Sequence, residues 1–171
     1  MSFGPAVQGW HDFYVTAGAA AATLVGLLFV GLSLHIRVVT AHVDVRSLAR
    51  VTLTDFFAVL LIALLLLAPS PGGAFTAEWL IGIAVLSLGL SIRPAISGLT
   101  GRGSRLSLWT LLARFGVSAI AYVAVAASAV LLISGDVADA LIGLLDAVVL
   151  LLMVAVRNTW DLLVTVADRP R

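Results

Sequence analysis

The chain has 171 residues, of which 61% are hydrophobic and 11% are charged, and its formal net charge is +1 at pH 7. Soluble domains are about one-quarter charged, so this composition excludes an ordinary soluble domain and indicates an integral membrane protein. The small net charge gives no basis for a nucleic-acid partner. The absence of cysteine excludes disulfides, thiolate metal sites and a cysteine nucleophile.

The first predicted span covers residues 13–34 and contains no charged residue. At a rise of about 1.5 Å per residue it extends roughly 33 Å, which is enough to cross a hydrocarbon core of about 30 Å. Within it, Gly18, Ala22 and Gly26 recur at every fourth position. This spacing predicts a ridge of small residues against which another helix packs closely.

Four further apolar segments predict four more spans. Their boundaries are marked by a turn rich in proline and glycine at 69–73 and by a link rich in arginine at 93–106. The predicted spans are residues 51–68, 76–92, 108–133 and 138–156, followed by a helical tail at 157–171. We therefore predict an all-α fold, a bundle of five transmembrane helices that forms a single domain over residues 1–171.

The positions of the arginines predict the orientation of the bundle. Nine of the ten arginines lie in segments 35–50, 93–106 and 157–171, whereas the links at 69–78 and 134–139 contain none. Cytoplasmic segments are enriched in basic residues, so we predict that the N-terminus is outside and the C-terminus is cytoplasmic. Every basic residue is arginine and alanine is abundant, which favours a GC-rich bacterial genome. The predicted location is the bacterial inner (plasma) membrane.

Asp55 and Arg114 lie inside apolar spans, where a charge costs roughly 2.5 to 3.5 kcal/mol on insertion scales. Both lie a little over one turn from the predicted cytoplasmic start of their helices, and helical side chains lean towards the helix N-terminus. Equal depth and opposite charge predict an ion pair between the second and fourth spans. The alternative interpretation is that each side chain extends separately to the lipid headgroups.

Asp146 lies deeper, about eight residues from the outer end of the fifth span. It shares a helix face with Asp139 and Arg157, and the fourth span places Tyr122 and Ser128 at a similar depth. One interpretation is a buried carboxyl group hydrogen-bonded to those two hydroxyls. The other is a wetted face in an oligomer, with Asp146, Tyr122, Ser128 and Arg157 along an ion or proton pathway.

No pattern in the sequence predicts catalysis, a metal or a cofactor. His35 and His42 are seven positions apart with Asp44 nearby, but the loop between them favours interfacial histidines over a metal site. The chain has no nucleophile elbow, phosphate loop, zinc-protease motif or dinucleotide fingerprint. Asp55 and Asp146 lie at different predicted depths, so a paired-aspartate protease site is not expected either. We therefore predict that the protein is not an enzyme.

The opening WHDFYVTAGAAAATLVGLLFVGLSLHIR, residues 10–37, resembles the first helix of a group of small polytopic bacterial membrane proteins, most of them actinobacterial. These proteins share W-x-x-F-F/Y, a run of small residues, then G-L-L-F-V and L-S-L/I before a basic loop. The matching positions here are Trp10, Phe13, Tyr14, Gly18, Gly26, Leu27, Leu28, Phe29, Val30, Leu32, Ser33 and Leu34. The resemblance implies the membrane architecture more than any activity.

Three functional hypotheses follow, all with the lipid bilayer as the surroundings. The first is a small homo-oligomeric channel or transport-type protein with a pathway along the fourth and fifth spans. It depends on the argument that five short spans do not easily enclose water, whereas small-residue ridges such as Gly143/Ala147 and Ala124/Ser128 favour self-association. The alternative is a non-catalytic accessory or scaffold subunit that binds another membrane protein through the ridge of the first span. The third is a lipid- or envelope-associated protein with neither role.

Overall fold

The computed structural model describes residues 3–69, 72–100 and 115–167. All the regular secondary structure in these ranges is helical, which confirms the predicted all-α class. The helices are α1 (Phe3–Gln8), α2 (His11–Leu34), α3 (Ile36–Ala41), α4 (Val43–Leu67), α5 (Gly73–Thr100), α6 (Val117–Ser134) and α7 (Val137–Ala167).

Within the described residues, five helices are long and apolar enough to cross a bilayer, in agreement with the five predicted spans. The segments are His11–Leu34, Val45–Leu67, Gly73–Ile92, Val117–Ser134 and Val137–Val166. Each is at least 18 residues long, the length at which an apolar stretch becomes a candidate transmembrane helix. The chain has the architecture of a multi-pass membrane protein.

Some helix boundaries differ from the sequence prediction. α4 begins at Val43, so Arg46 and Arg50 lie on its first turns, before the predicted start at residue 51. α5 continues through Pro94 to Thr100, because an internal proline removes one backbone hydrogen bond and does not necessarily end a helix. α7 continues to Ala167 and includes most of the predicted helical tail. The predicted start of the fourth span, residue 108, lies outside the described residues.

Four of the long helices surround a common centre. α4 packs against α5 and α7, and α6 packs against the same two helices, so α4 and α6 occupy opposite corners of the bundle. A tight turn joins α6 to α7: Gly135 has a left-handed φ of 95°, and the Asp136 N–H donates to the Leu131 carbonyl oxygen at 3.0 Å. This is the geometry of a helix end that glycine favours. α2 lies outside the four and packs mainly on α4.

Two glycines allow close helix contacts inside the protomer. A Cβ atom placed on Gly18 of α2 would lie 3.0 Å from Cβ of Ala63 on α4, and one placed on Gly143 of α7 would lie 2.5 Å from Oγ of Ser128 on α6. The α6–α7 contact therefore uses part of the small-residue ridges predicted for those helices. Small residues allow helix backbones to approach closely, as expected for packing in a membrane.

The predicted ridge on the first span does not pack as one surface. Gly18 is buried against α4, whereas Ala22 and Gly26 are exposed. A step of four residues turns about 40° beyond a full helix turn, so the ridge moves away from the α4 contact as it advances. The face of α2 that is buried instead follows residues 14, 17, 18, 21 and 28.

Candidate functional site

The most enclosed polar group is the carboxyl of Asp55, halfway along α4 and 0% exposed. Ser118 Oγ donates a hydrogen bond to Asp55 Oδ2 at 2.8 Å, and the Tyr122 hydroxyl donates to Oδ1 at 2.7 Å. Ser118 and Tyr122 lie four positions apart on one face of α6, so both hydroxyls reach the same carboxyl group. These bonds connect α4 and α6 across the centre of the bundle.

A third helix lies beside these hydrogen bonds: the buried Ser87 of α5 is close to Tyr122. We name Asp55, Ser87, Ser118 and Tyr122 the Asp55 cluster; each is at most 6% exposed. Buried polar groups of this kind are stable when their hydrogen bonds are satisfied, and the hydrogen bonds of the cluster join α4 to α6.

The structure connects the second and fourth predicted spans through the hydrogen bonds of Asp55 with Ser118 and Tyr122. The predicted ion pair of Asp55 with Arg114 stays a prediction, because Arg114 lies outside the described residues. The hydroxyl of Tyr122, assigned to Asp146, donates to Asp55 instead. Ser128 Oγ donates to the Ala124 carbonyl oxygen of its own helix at 2.9 Å. The predicted hydrogen bonds of Tyr122 and Ser128 to Asp146 are therefore not formed.

Asp55 and Tyr122 lie at equal depth in the bundle. Asp55 lies twelve residues before the end of α4 at Leu67, and Tyr122 lies twelve residues before the end of α6 at Ser134. Ser118, one turn earlier, shares the face of Tyr122. The signal was a pair of hydroxyls four positions apart at the depth of an acidic residue, and it identifies Ser118 as a member that the sequence analysis did not single out as a site residue.

Asp146 occupies the opposite kind of position. It lies nine residues after Val137 at the start of α7, about 13.5 Å along the helix axis, and its side chain is exposed on the outside of the bundle. Among the residues that the structure describes, none forms a hydrogen bond or an ion pair with its carboxyl group. The apolar span thus carries an exposed carboxyl well inside its length.

Asp146 belongs to a continuous exposed stripe along α7, which we name the α7 seam. Its members alternate in steps of three and four residues: Asp139, Ile142, Asp146, Val149, Met153, Val156, Trp160 and Leu163, all exposed. Arg157 is also exposed and lies at the edge of the seam. The opposite face of α7 is buried against α4 and α6. The two carboxyls of the seam are one heptad apart on the same line.

The histidines make local contacts. His35 Nδ1 lies 3.2 Å from the Gly31 carbonyl oxygen, and His42 Nδ1 lies 3.0 Å from the Val38 carbonyl oxygen. In the part of the chain that the structure describes, no group of three histidine, cysteine or acidic side chains is placed to hold a metal ion. In each of these two imidazoles, one ring nitrogen lies within hydrogen-bond distance of the backbone one helical turn earlier.

Comparisons with protein-family models, with curated proteins and with solved structures find no match to this chain. The resemblance of residues 10–37 to small actinobacterial membrane proteins stays a prediction. The two carboxyl groups inside the spans, one enclosed by hydroxyls and one exposed on α7, are the features that point to a function.

Proposed function

We propose that the protein is a small homo-oligomeric, transport-type membrane protein that conducts cations along α7. The observation that carries this proposal is the exposure of Asp146 on an apolar helix face, about 13.5 Å from the start of the span. A charged side chain near the centre of a lipid-facing helix costs roughly 2.5 to 3.5 kcal/mol on insertion scales. A water-lined pathway between copies removes this cost by hydrating the carboxyl group.

The charge of the seam favours cations over other solutes. Asp139 and Asp146 lie on the same line of α7, so a symmetric assembly around that line forms two rings of carboxyl groups. Rings of acidic side chains are a recurring selectivity element of cation channels. The centre of the protomer is a weaker candidate, because the Asp55 cluster is buried and its hydroxyls donate within the cluster.

The proposed pathway belongs to α7 rather than to α6 and α7 together. Tyr122 and Ser128 of α6 are 1% and 2% exposed, so they face the interior of the protomer. Arg157 remains next to the pathway, at the edge of the seam and eleven residues beyond Asp146. The proposal therefore narrows the sequence-based hypothesis to one helix.

The orientation of the protein is part of the proposal and is supported by the arginine pattern. An odd number of spans places the termini on opposite sides of the membrane. With the N-terminus outside, Arg37, Arg46 and Arg50 face the cytoplasm, in agreement with the enrichment of basic residues on that side. Asp139 then lies near the outer mouth of the pathway and Arg157 near its cytoplasmic end. The proposed membrane is the bacterial inner membrane.

Cation flux into liposomes tests the proposed function. A carboxylate attracts a cation at about 4 Å by about 4 kcal/mol at an effective dielectric constant of about 20. Losing a third of that attraction lowers the affinity of the pathway for a cation about tenfold, so at a subsaturating cation concentration we expect Asp146→Asn to lower the flux by about the same factor. The matched control is Asp136→Asn, which removes the same charge from an exposed residue outside the seam and should conduct as the wild type does.

Two results would contradict the proposal. One is wild-type protein that carries no cation flux above that of empty liposomes. The other is Asp146→Asn with the flux of the wild type and of Asp136→Asn. Because the Asp146 side chain is exposed, the substitution should leave the protomer folded, and an unchanged helical circular-dichroism spectrum checks this.

A second function is favoured by the exposed face of α2. Only 28% of its apolar window is buried, the smallest share among the five spans, and a Cβ atom added to Gly26 would have nothing within 4 Å. A helix of another membrane protein fits closely against small exposed residues such as Ala22 and Gly26. A non-catalytic accessory subunit is therefore the alternative, and co-purification of a different polypeptide without cation flux would favour it.

A further inference from the structure

The α7 seam has the spacing of a coiled-coil interface over its whole length. It extends for 25 positions from Asp139 to Leu163, about 36 Å along the axis, which is sufficient to cross the hydrocarbon core. In heptad terms Asp139, Asp146, Met153 and Trp160 take one core position, and Ile142, Val149, Val156 and Leu163 take the other. Met153 and Trp160 are 66% and 69% exposed, so large apolar side chains protrude from the seam.

The exposed carboxyl of Asp146 distinguishes the α7 seam from other exposed faces of the bundle. α6 presents a similarly spaced stripe that consists of Ile120, Val123, Ala127 and Val130, and lipid tails cover such an apolar stripe at little cost. Lipid does not hydrogen-bond to Asp146. A polar residue at one core position of a coiled coil is known to specify register and the number of strands.

The occupant that fits the seam is a second copy of this chain. All copies inserted with the same orientation present α7 running in the same direction, so symmetric packing of two α7 helices is parallel. A rotation axis along the membrane normal relates the copies, so each residue of α7 lies at the same depth as the equivalent residue in the next copy. A foreign helix would need a polar group at the depth of Asp146, whereas a second copy supplies one by symmetry.

We infer that α7 of one copy packs in parallel and in register against α7 of the next around a shared axis, with the Asp146 carboxyls of the copies facing that axis. A cation held between these carboxyls offsets their repulsion; where that cation is a proton, it forms a charge-assisted hydrogen bond between two of them. This inference rests on the self-association included in the proposed function and names the partner of the same face. It does not itself require conduction.

The chain contains no cysteine, so single-cysteine variants test the interface directly. The test variants are Ile142→Cys, Val149→Cys and Val156→Cys, each in the seam. A disulfide between two copies requires Cα atoms within about 7 Å, a distance that identical core positions of a parallel pair approach. The proteins are oxidised in liposomes at a low protein-to-lipid ratio, and the cross-linked fraction is measured on non-reducing gels.

Val123→Cys on α6 is the matched control. Val123 lies eleven residues before the end of α6 and Val149 lies twelve after the start of α7, so the two are at similar depth on helices joined by a tight turn. Val123 is the more exposed, at 61% against 39% for Val149. Random collision therefore favours cross-linking of the control, and the inferred interface favours the seam.

We expect the three seam variants to give a cross-linked fraction several-fold above that of Val123→Cys. Seam variants that cross-link no more than the control would overturn the inference. Flux measured on the same liposomes distinguishes the two proposals. Cross-linking along the seam without cation flux upholds the interface and contradicts conduction, whereas flux without cross-linking along the seam contradicts the interface alone.

Discussion

The hydrogen bond from Ser118 to Asp55 can be removed with little change in volume by the substitution Ser118→Ala. The bond is 2.8 Å long, and both residues are 0% exposed. Water therefore has no access to replace the lost donor, and Asp55 Oδ2 loses a partner in the bundle centre. Hydrogen bonds to charged groups contribute about 1.5 to 3 kcal/mol in soluble proteins, and those between membrane helices average about 0.6 with a maximum near 1.7 kcal/mol.

We expect Ser118→Ala to lower the free energy of unfolding by about 1.5 kcal/mol, near the top of the membrane range, because the acceptor stays buried and is a carboxyl group. Equilibrium unfolding in mixed micelles measures this quantity. Ser128→Ala is the control: it makes the same change on the same helix at a residue only 2% exposed. The Ser128 hydroxyl donates to the Ala124 carbonyl of its own helix, so its loss should cost about 0.5 kcal/mol, the lower end of the range for a neutral hydrogen bond.

The comparison of the two serine variants decides whether the Asp55 cluster connects α4 and α6. Equal losses for Ser118→Ala and Ser128→Ala would refute the reasoning. A double-mutant cycle of Ser118→Ala with Asp55→Ala isolates the pair. We expect a coupling energy of about 1 kcal/mol, within the range for contacting residues, and a coupling near zero would contradict a direct contribution of this hydrogen bond to stability.

The remaining predictions concern the two close helix contacts, measured in the same unfolding assay. Gly143→Ala brings a Cβ atom to 2.5 Å from Ser128 Oγ and should lower the free energy of unfolding by about 1 kcal/mol, because it forces that hydroxyl from its hydrogen bond. Adding Ser128→Ala should recover this stability. A double variant as unstable as the single one would contradict this explanation. Gly18→Leu places its side chain against Ala63, 3.0 Å from the Cβ position, and should cost about 3 kcal/mol by overpacking. Gly26→Leu adds the same side chain to an exposed position of α2 and should leave the protomer as stable as the wild type, so equal effects at the two glycines would count against the α2–α4 contact.

The number of spans could be predicted from the sequence because each span is a local property. A stretch of at least 18 apolar residues is recognisable without knowledge of its neighbours, and each of the five segments of the structure overlaps one of those predicted. Helix boundaries were less predictable. The arginines at 46 and 50 suggested a loop, but arginine is a good helix former and α4 includes both residues.

Which face of each helix is buried against its neighbours could not be predicted from the sequence in the same way. A helix on the surface of a soluble protein has an apolar side and a polar side, whereas in a membrane the lipid-facing and core-facing sides are both apolar. Small-residue spacing identified Gly18 as a contact residue, but it did not reveal that Ala22 and Gly26 turn away from α4. The direction in which a helix faces depends on which neighbours surround it.

The carboxyl groups of Asp55 and Asp146 illustrate the difference between what the sequence and what the tertiary structure determines. The sequence determined that Asp55 and Asp146 lie inside apolar spans, since depth follows from position along a helix. Only the tertiary structure decided that Asp55 is enclosed by the hydroxyls of Ser118 and Tyr122 while Asp146 lies on the outside of α7. The physical reason is that α4 contributes one side to the bundle centre, where α6 supplies donors, whereas the side of α7 that carries Asp146 points away from α4 and α6, the helices against which α7 packs.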